Sequence, residues 1–198
     1  TVASLPNLCS YFDIPIQHVS PTLLKRMGRP YDPERVAERV RYIRAAIPQA
    51  ALRTTVIVGF PGETEQDFKQ LEDFIQTVPF DHLGVFTYSD ADDLASHSLP
   101  EHVPAAIARK RRDALMERQK GISEALNRNY LDTIQEVLLE TAPEPGLLVG
   151  RTMFQAPEVD GLTYVRIEPR RKKNAKPGRF VRTRIVDTLE YDLVGEAL

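Results

Sequence analysis

The chain has 198 residues, is 42% hydrophobic and carries a formal net charge of −2. That length suits one large domain or two small ones, and the near-neutral charge excludes a surface built wholesale for nucleic acid or acidic membranes. One cysteine, Cys9, excludes disulfides within the chain. The lack of a signal peptide or an apolar span of about 18 residues predicts a cytoplasmic protein with no membrane partner.

In chain order, the first predicted element is a short β-leaning run from Tyr11 to Gln17, ending in polar groups. A helix follows in YDPERVAERVRYIRAAIP. Asp32 is its N-cap, Pro33 fits the first turn, Pro48 marks the stop, and Val36, Val40, Ile43 and Ile47 recur on one face. ALRTTVIVGF is a strand whose Val56-Ile57-Val58 core reads as apolar on both faces. TEQDFKQLEDFIQTV is the next helix, capped by Thr64 with Asp67 near the capping-box position, and HLGVFTYS is a third strand. This alternation predicts a parallel βαβαβ arrangement with strands centred near Ile14, Ile57 and Val85.

Residues 104–130 are predicted as a long charged connecting helix with a narrow seam of Ile107, Leu115, Ile122 and Leu126. From residue 131 the pattern becomes five short strands separated by turns such as TAPEPG, APEVDG and KNAKPG. These fit a small OB-like β-barrel. The expected domains are therefore 1–103, a linking helix at 104–130, and 131–198.

The polar residues gather at the C-terminal ends of the parallel strands, the edge where ligands bind in such sheets. They are Gln17, His18 and Ser20, then Gly59 to Glu63, then Thr87, Tyr88 and Ser89. Gly59, Pro61 and Gly62 would let the backbone pass close to a flat ligand, and the start of the Thr64 helix could meet an anion. A tight strand-to-helix turn without a ligand fits the composition equally well. Glu63 reads as a solvated turn residue. His18 reads as a hydrogen-bonded histidine rather than a ligand, and His82, His97 and His102 show no metal-ligand spacing with any cysteine.

PRRKKNAKPGR, residues 169–179, is the one charge run, either a solvated hairpin loop or a phosphate-facing patch. Residues 131–198 hold ten Lys and Arg against eleven Asp and Glu, so the barrel pairs a basic loop with an acidic remainder.

Four separated stretches, YFDIPIQHVSPTLLKRMGRP, LRTTVIVGFPGETEQDF, FDHLGVFTYS and the terminal YDLVGEAL, together resemble the methylthiotransferases of the radical-SAM superfamily. The resemblance implies a C-terminal portion of such a protein. The α/β part would be the second half of a partial TIM barrel, and the all-β part a TRAM domain. VGRTMFQAPEVDG and Arg53 resemble the RimO-like branch, which methylthiolates an aspartate of a small-subunit ribosomal protein. The alternatives are a MiaB-like tRNA-modifying methylthiotransferase and a non-catalytic RNA- or protein-binding fragment.

The implied cofactor is S-adenosylmethionine, with Gln17, Arg53, Val58, Gly59, Phe60, Phe86 and Tyr88 as the residues that would contact it. In the family a reduced 4Fe-4S cluster donates an electron to it, and the resulting radical abstracts hydrogen from the substrate. The CxxxCxxC motif for that cluster is absent, so the clusters belong only to a full-length parent, and this chain alone is expected to be inactive. No catalytic side chain and no metal ligand is assigned. Glu158 and Asp160, with the basic residues Arg170, Arg171, Lys172 and Lys173, are the residues expected to meet the substrate: a ribosomal protein on the barrel, with RNA contact through the basic loop. A monomer is expected.

Overall fold

The computed structural model describes residues 2–5, 7–168 and 175–198. The chain divides into two compact units, residues 12–119 and residues 1–11 with 120–198.

In the first unit, β1 (Tyr11–Asp13), β2 (Ala51–Val58) and β3 (His82–Thr87) form a sheet in sequence order. β2 and β3 run parallel, with Val56 opposite Val85 and Val58 opposite Thr87. β1 is shorter than the predicted Tyr11–Gln17 run. Pro15 has no N–H to donate, and Gln17 turns to φ 58°, so beyond Asp13 the pairing reduces to single bonds and a parallel bridge between Gln17 and Val56.

Along β2, Leu52, Thr54, Val56 and Val58 are fully buried, while Arg53, Thr55 and Ile57 stay partly exposed. One face of the sheet is therefore closed and the other open, and Val56-Ile57-Val58 is not covered on both sides as expected. The helices α2 (Pro33–Ala46) and α3 (Glu65–Thr77) bury Ala37 and Val40, and Phe68, Leu71 and Ile75, against the closed side. Between β1 and α2 lies a six-residue helix, α1 (Pro21–Arg26), capped by Ser20.

The caps follow the sequence. Asp32 accepts from the Glu34 N–H at 3.0 Å, and Thr64 and Asp67 form a complete reciprocal box. Partial burial alone would raise the Asp67 carboxyl. Hydrogen bonds from Ser20 and Thr64 nevertheless hold it below its ordinary value. That box satisfies the Thr64 and Asp67 N–H groups at the start of α3. At the N-terminal end of the sheet, Arg44 reaches Asp81 at 2.9 Å, and Asp81 accepts from the Leu52 N–H at 2.7 Å.

Helix α4 (Ala105–Asn127) begins in the first unit. Its buried stripe there is Ala108, Arg111, Leu115 and Gln119, whereas Ile107 is exposed. The apolar seam expected through Ile107 is thus shifted. Two polar side chains join it because each has a buried partner: Gln119 donates to the Phe80 carbonyl at 2.8 Å, and Arg111 meets Glu63.

In the second unit, β4 (Ile134–Glu144), β5 (Leu147–Arg151), β6 (Thr163–Arg166), β7 (Phe180–Thr188) and β8 (Leu193–Ala197) close into a barrel in the order β4-β5-β6-β8-β7. All pairs are antiparallel except β6 with β8, which run parallel. Val137, Leu139, Leu148, Val165 and Ile167 form its core. Among the described residues no helix is long and apolar enough to cross a membrane.

Candidate functional site

The C-terminal ends of the parallel strands open on a cleft of about 680 Å³. That volume lies within the usual range for small-molecule sites. Its floor is Gln17, Ile57 and Phe86, one wall is Phe60 with Thr87 to Ser89, and Leu94 to Ser96 form a lip. Arg26 and Arg29, at the end of α1 and just after it, line the same cavity, Arg26 paired with Glu101 at 3.1 Å.

Three aromatic side chains define its apolar surface. Phe86 is 57% exposed on the open face, a large ring left for something else to cover. Phe60 and Tyr88 meet edge to face, with ring centroids 5.2 Å apart. The Tyr88 hydroxyl lies 3.0 Å from Asp90 and 2.9 Å from Ser96, which ties the lip to the strand end. His97 Nδ1 approaches the same Asp90 carboxylate at 3.0 Å. Desolvation would raise the Asp90 carboxyl, but the bonds from His97 and Tyr88 and the neighbouring His97 and His102 hold it below its ordinary value.

Behind the cleft sits a buried polar cluster that sequence reasoning missed. The Glu63 side chain is fully buried. It accepts from the Gly59 N–H, pairs with Arg111 at 3.0 Å and lies 3.4 Å from His18 Nε2. It is therefore not a solvated turn residue. Its only signal was a lone carboxylate inside a glycine- and proline-rich turn, and its partner Arg111 lies 48 residues away. His18 is hydrogen-bonded on both sides. Its Nδ1 accepts from the Ser20 N–H at 2.9 Å, which places the proton of the neutral ring on Nε2, facing Glu63. Tyr31 donates to the carbonyls of Ile16 and His18, bracing the left-handed Gln17. Burial pushes the Tyr31 hydroxyl up to about 12, because the phenolate would lose its hydration.

The cleft thus brings together Gln17, Phe60, Phe86 and Tyr88, but not the other three residues expected to share it. Val58 is fully buried on the closed face of the sheet. A Cβ at Gly59 would overlap that of Ala108, so the side a Cβ would take faces α4. Arg53 stands near the start of β2, five residues before Val58, and pairs with Asp13 at 3.0 Å. At about 3.3 Å per residue that is some 16 Å from the strand end. In the barrel, Glu158 is exposed at the tip of the 156–160 turn with φ 68°, whereas Asp160 is engaged in closing that turn by accepting from the Ala156 N–H at 2.8 Å. Arg170, Arg171, Lys172 and Lys173 lie outside the described residues.

A 4Fe-4S cluster does not fit the residues present. Cys9 is the one cysteine and is exposed, and among the described residues no group of three His, Cys, Asp or Glu could hold a metal. The cleft does fit the adenosyl part of S-adenosylmethionine, with aromatic faces for a base and polar groups at the rim.

Residues 2–75 match the radical SAM superfamily and residues 133–198 match the TRAM domain. The class of protein is therefore a radical-SAM module followed by a TRAM barrel. The chain is 46% identical over 192 residues to the ribosomal protein uS12 methylthiotransferase RimO of Clostridioides difficile, covering 97% of this chain and 42% of that one. It is 47% identical over 194 residues to the RimO of Nitratidesulfovibrio vulgaris, covering 96% and 43%. To the RimO of Geobacter sulfurreducens it is 42% identical over 200 residues, covering 100% and 44%. The chain belongs to the radical-SAM methylthiotransferase family, in its RimO-like branch, and spans about two fifths of the length of the curated relatives it matches.

Proposed function

We propose that this chain is part of a protein methylthiotransferase, in which the sheet unit seats the adenosyl end of S-adenosylmethionine and the barrel receives a small-subunit ribosomal protein. The observation that carries the proposal is the cleft lined by Gln17, Phe60, Phe86 and Tyr88 at the C-terminal ends of parallel strands. In this reading Phe60, Phe86 and Tyr88 pack on the adenine, and Gln17 bonds the ribose. In place of Arg53, Arg29 and Arg26 meet the methionine carboxylate, Arg26 exchanging its Glu101 partner for it. S-adenosylmethionine supplies the radical chemistry of the family. The residues here bind it, orient it and exclude water, and the cluster ligands come from elsewhere in a complete enzyme.

The barrel's exposed Glu158 suits a basic ribosomal protein, since complementary charge steers encounter and register. A tRNA substrate is the second reading. It draws on the basic run at 169–179 and on the exposed Phe180 of β7, because base stacking and phosphate contacts need such residues.

The test uses the complete enzyme with reconstituted clusters, given S-adenosylmethionine and either the ribosomal protein or tRNA. Mass spectrometry should find a methylthio increment on an aspartate of the protein. An increment on tRNA alone would overturn the assignment.

A further inference from the structure

Helix α4 presses two side chains, one turn apart, onto the glycine turn that follows β2. Ala108 fills the space beside Gly59, and Arg111 runs beneath it to Glu63. Both terminal nitrogens of Arg111 are engaged, while its buried Nε has no hydrogen-bond partner among the described residues. One terminal nitrogen reaches the Glu63 carboxylate at 3.0 Å and the Glu63 carbonyl at 3.1 Å. The other reaches Glu65 at 3.2 Å, and the guanidinium carbon lies 5.4 Å from the centre of the Phe68 ring.

Glu63 needs that cation. A fully buried carboxylate is costly unless paired, and His18 offers it only a neutral N–H. With Arg111 in place, Glu63 fixes the Gly59 N–H from within the same turn and draws in the His18 ring on the segment between β1 and α1. The residues adjoining these two anchors, Phe60 after Gly59 and Gln17 before His18, are the ones that line the cleft.

We propose that Arg111 is a positioning residue for the cleft. It touches no ligand, but through Glu63 it sets the 59–63 turn and hence the placement of Phe60 and Gln17. The proposal rests on reading that cleft as the S-adenosylmethionine site. A helix that belongs to neither strand nor cleft would then control ligand affinity.

The experiment uses the full chain, its Arg111→Ala and Glu63→Gln variants, and two readouts. Hydrogen exchange follows residues 57–65, and equilibrium dialysis follows S-adenosylmethionine. Loss of a buried charge-assisted bond corresponds to roughly tenfold to a hundredfold, so both turn protection and affinity should fall by at least about tenfold in Arg111→Ala. Tens of millimolar guanidinium should restore both in that variant, whereas ammonium should not. Glu63→Gln should loosen the same turn without guanidinium rescue.

Two results would overturn the proposal. One is unchanged protection of the turn in Arg111→Ala. The other is loss of protection across the whole sheet unit without rescue, which would make Arg111 a simple strut. If the unsubstituted chain bound no S-adenosylmethionine, the cleft reading would fall, while the exchange data would still decide whether Arg111 sets the turn.

Discussion

Gly59→Ala is expected to destabilise the chain by about 2–5 kcal/mol in urea denaturation. The figure sums about 1–3 for overpacking and about 1–2 for a side chain at left-handed φ. Gly59 has φ 77°, and a Cβ there would overlap the Ala108 Cβ and lie 3.4 Å from the Ala108 Cα. On sequence grounds Gly59 reads as a place where the backbone can pass close to a flat ligand. The geometry gives a different cause, a collision with α4. The double variant Gly59→Ala with Ala108→Gly separates the two terms. It should recover the overpacking part and keep the backbone part. A loss of only about 1–2 kcal/mol in the single variant, with no recovery in the double, would mean the turn and α4 are not in contact, and a loss below about 0.5 kcal/mol would contradict the left-handed φ as well.

In the barrel, Gly150→Ala should cost about 2–3 kcal/mol, because the obstacle is backbone that cannot rotate away. Gly150 pairs with Leu139 beside a register shift between Leu139 and Thr141. A Cβ would penetrate the Leu138 carbonyl oxygen and lie 2.9 Å from its carbon and 3.0 Å from the Leu139 Cα. Hydrogen exchange in β4 and β5 should quicken. Gly121 in α4 is the control, since nothing lies within 4 Å of a Cβ there. Gly121→Ala should stabilise by about 0.5–1 kcal/mol through helix propensity. If Gly150→Ala also stabilised, the close crossing of β4 and β5 would be wrong.

What the sequence revealed and what it hid divide along physical lines. The caps at Asp32 and Thr64 and the five barrel strands were legible because their signals lie within a few residues. The parallel β6–β8 seam was not, since pairing between distant strands leaves no local mark. Glu63 was misread, and Arg111 passed over, for the same reason. Each looks like a surface charge until the fold brings them to 3.0 Å. Arg53 shows a different failure. It sits in a motif-bearing strand, but motif membership does not say which end of the strand a residue occupies. Similarly, the glycines of the 59–62 turn were legible as glycines. Their reasons were not, because Ala108 fills one side and the Arg26 guanidinium occupies the space a Cβ at Gly62 would need.

The central claim is that the cleft at the strand ends is the adenosyl site. The most direct measurement is a titration of the isotopically labelled chain with S-adenosylmethionine, followed by amide chemical shifts. The account predicts saturable shifts concentrated at Gln17, Ile57, Phe60 and residues 86–89, with Phe86→Ala weakening binding by about tenfold or more, as expected for loss of one aromatic face. A second cavity of about 960 Å³, lined by Ile14, Lys25, Tyr31, Arg35 and Arg39, provides the contrast. Shifts confined to those residues, or none at saturating ligand, would contradict the claim.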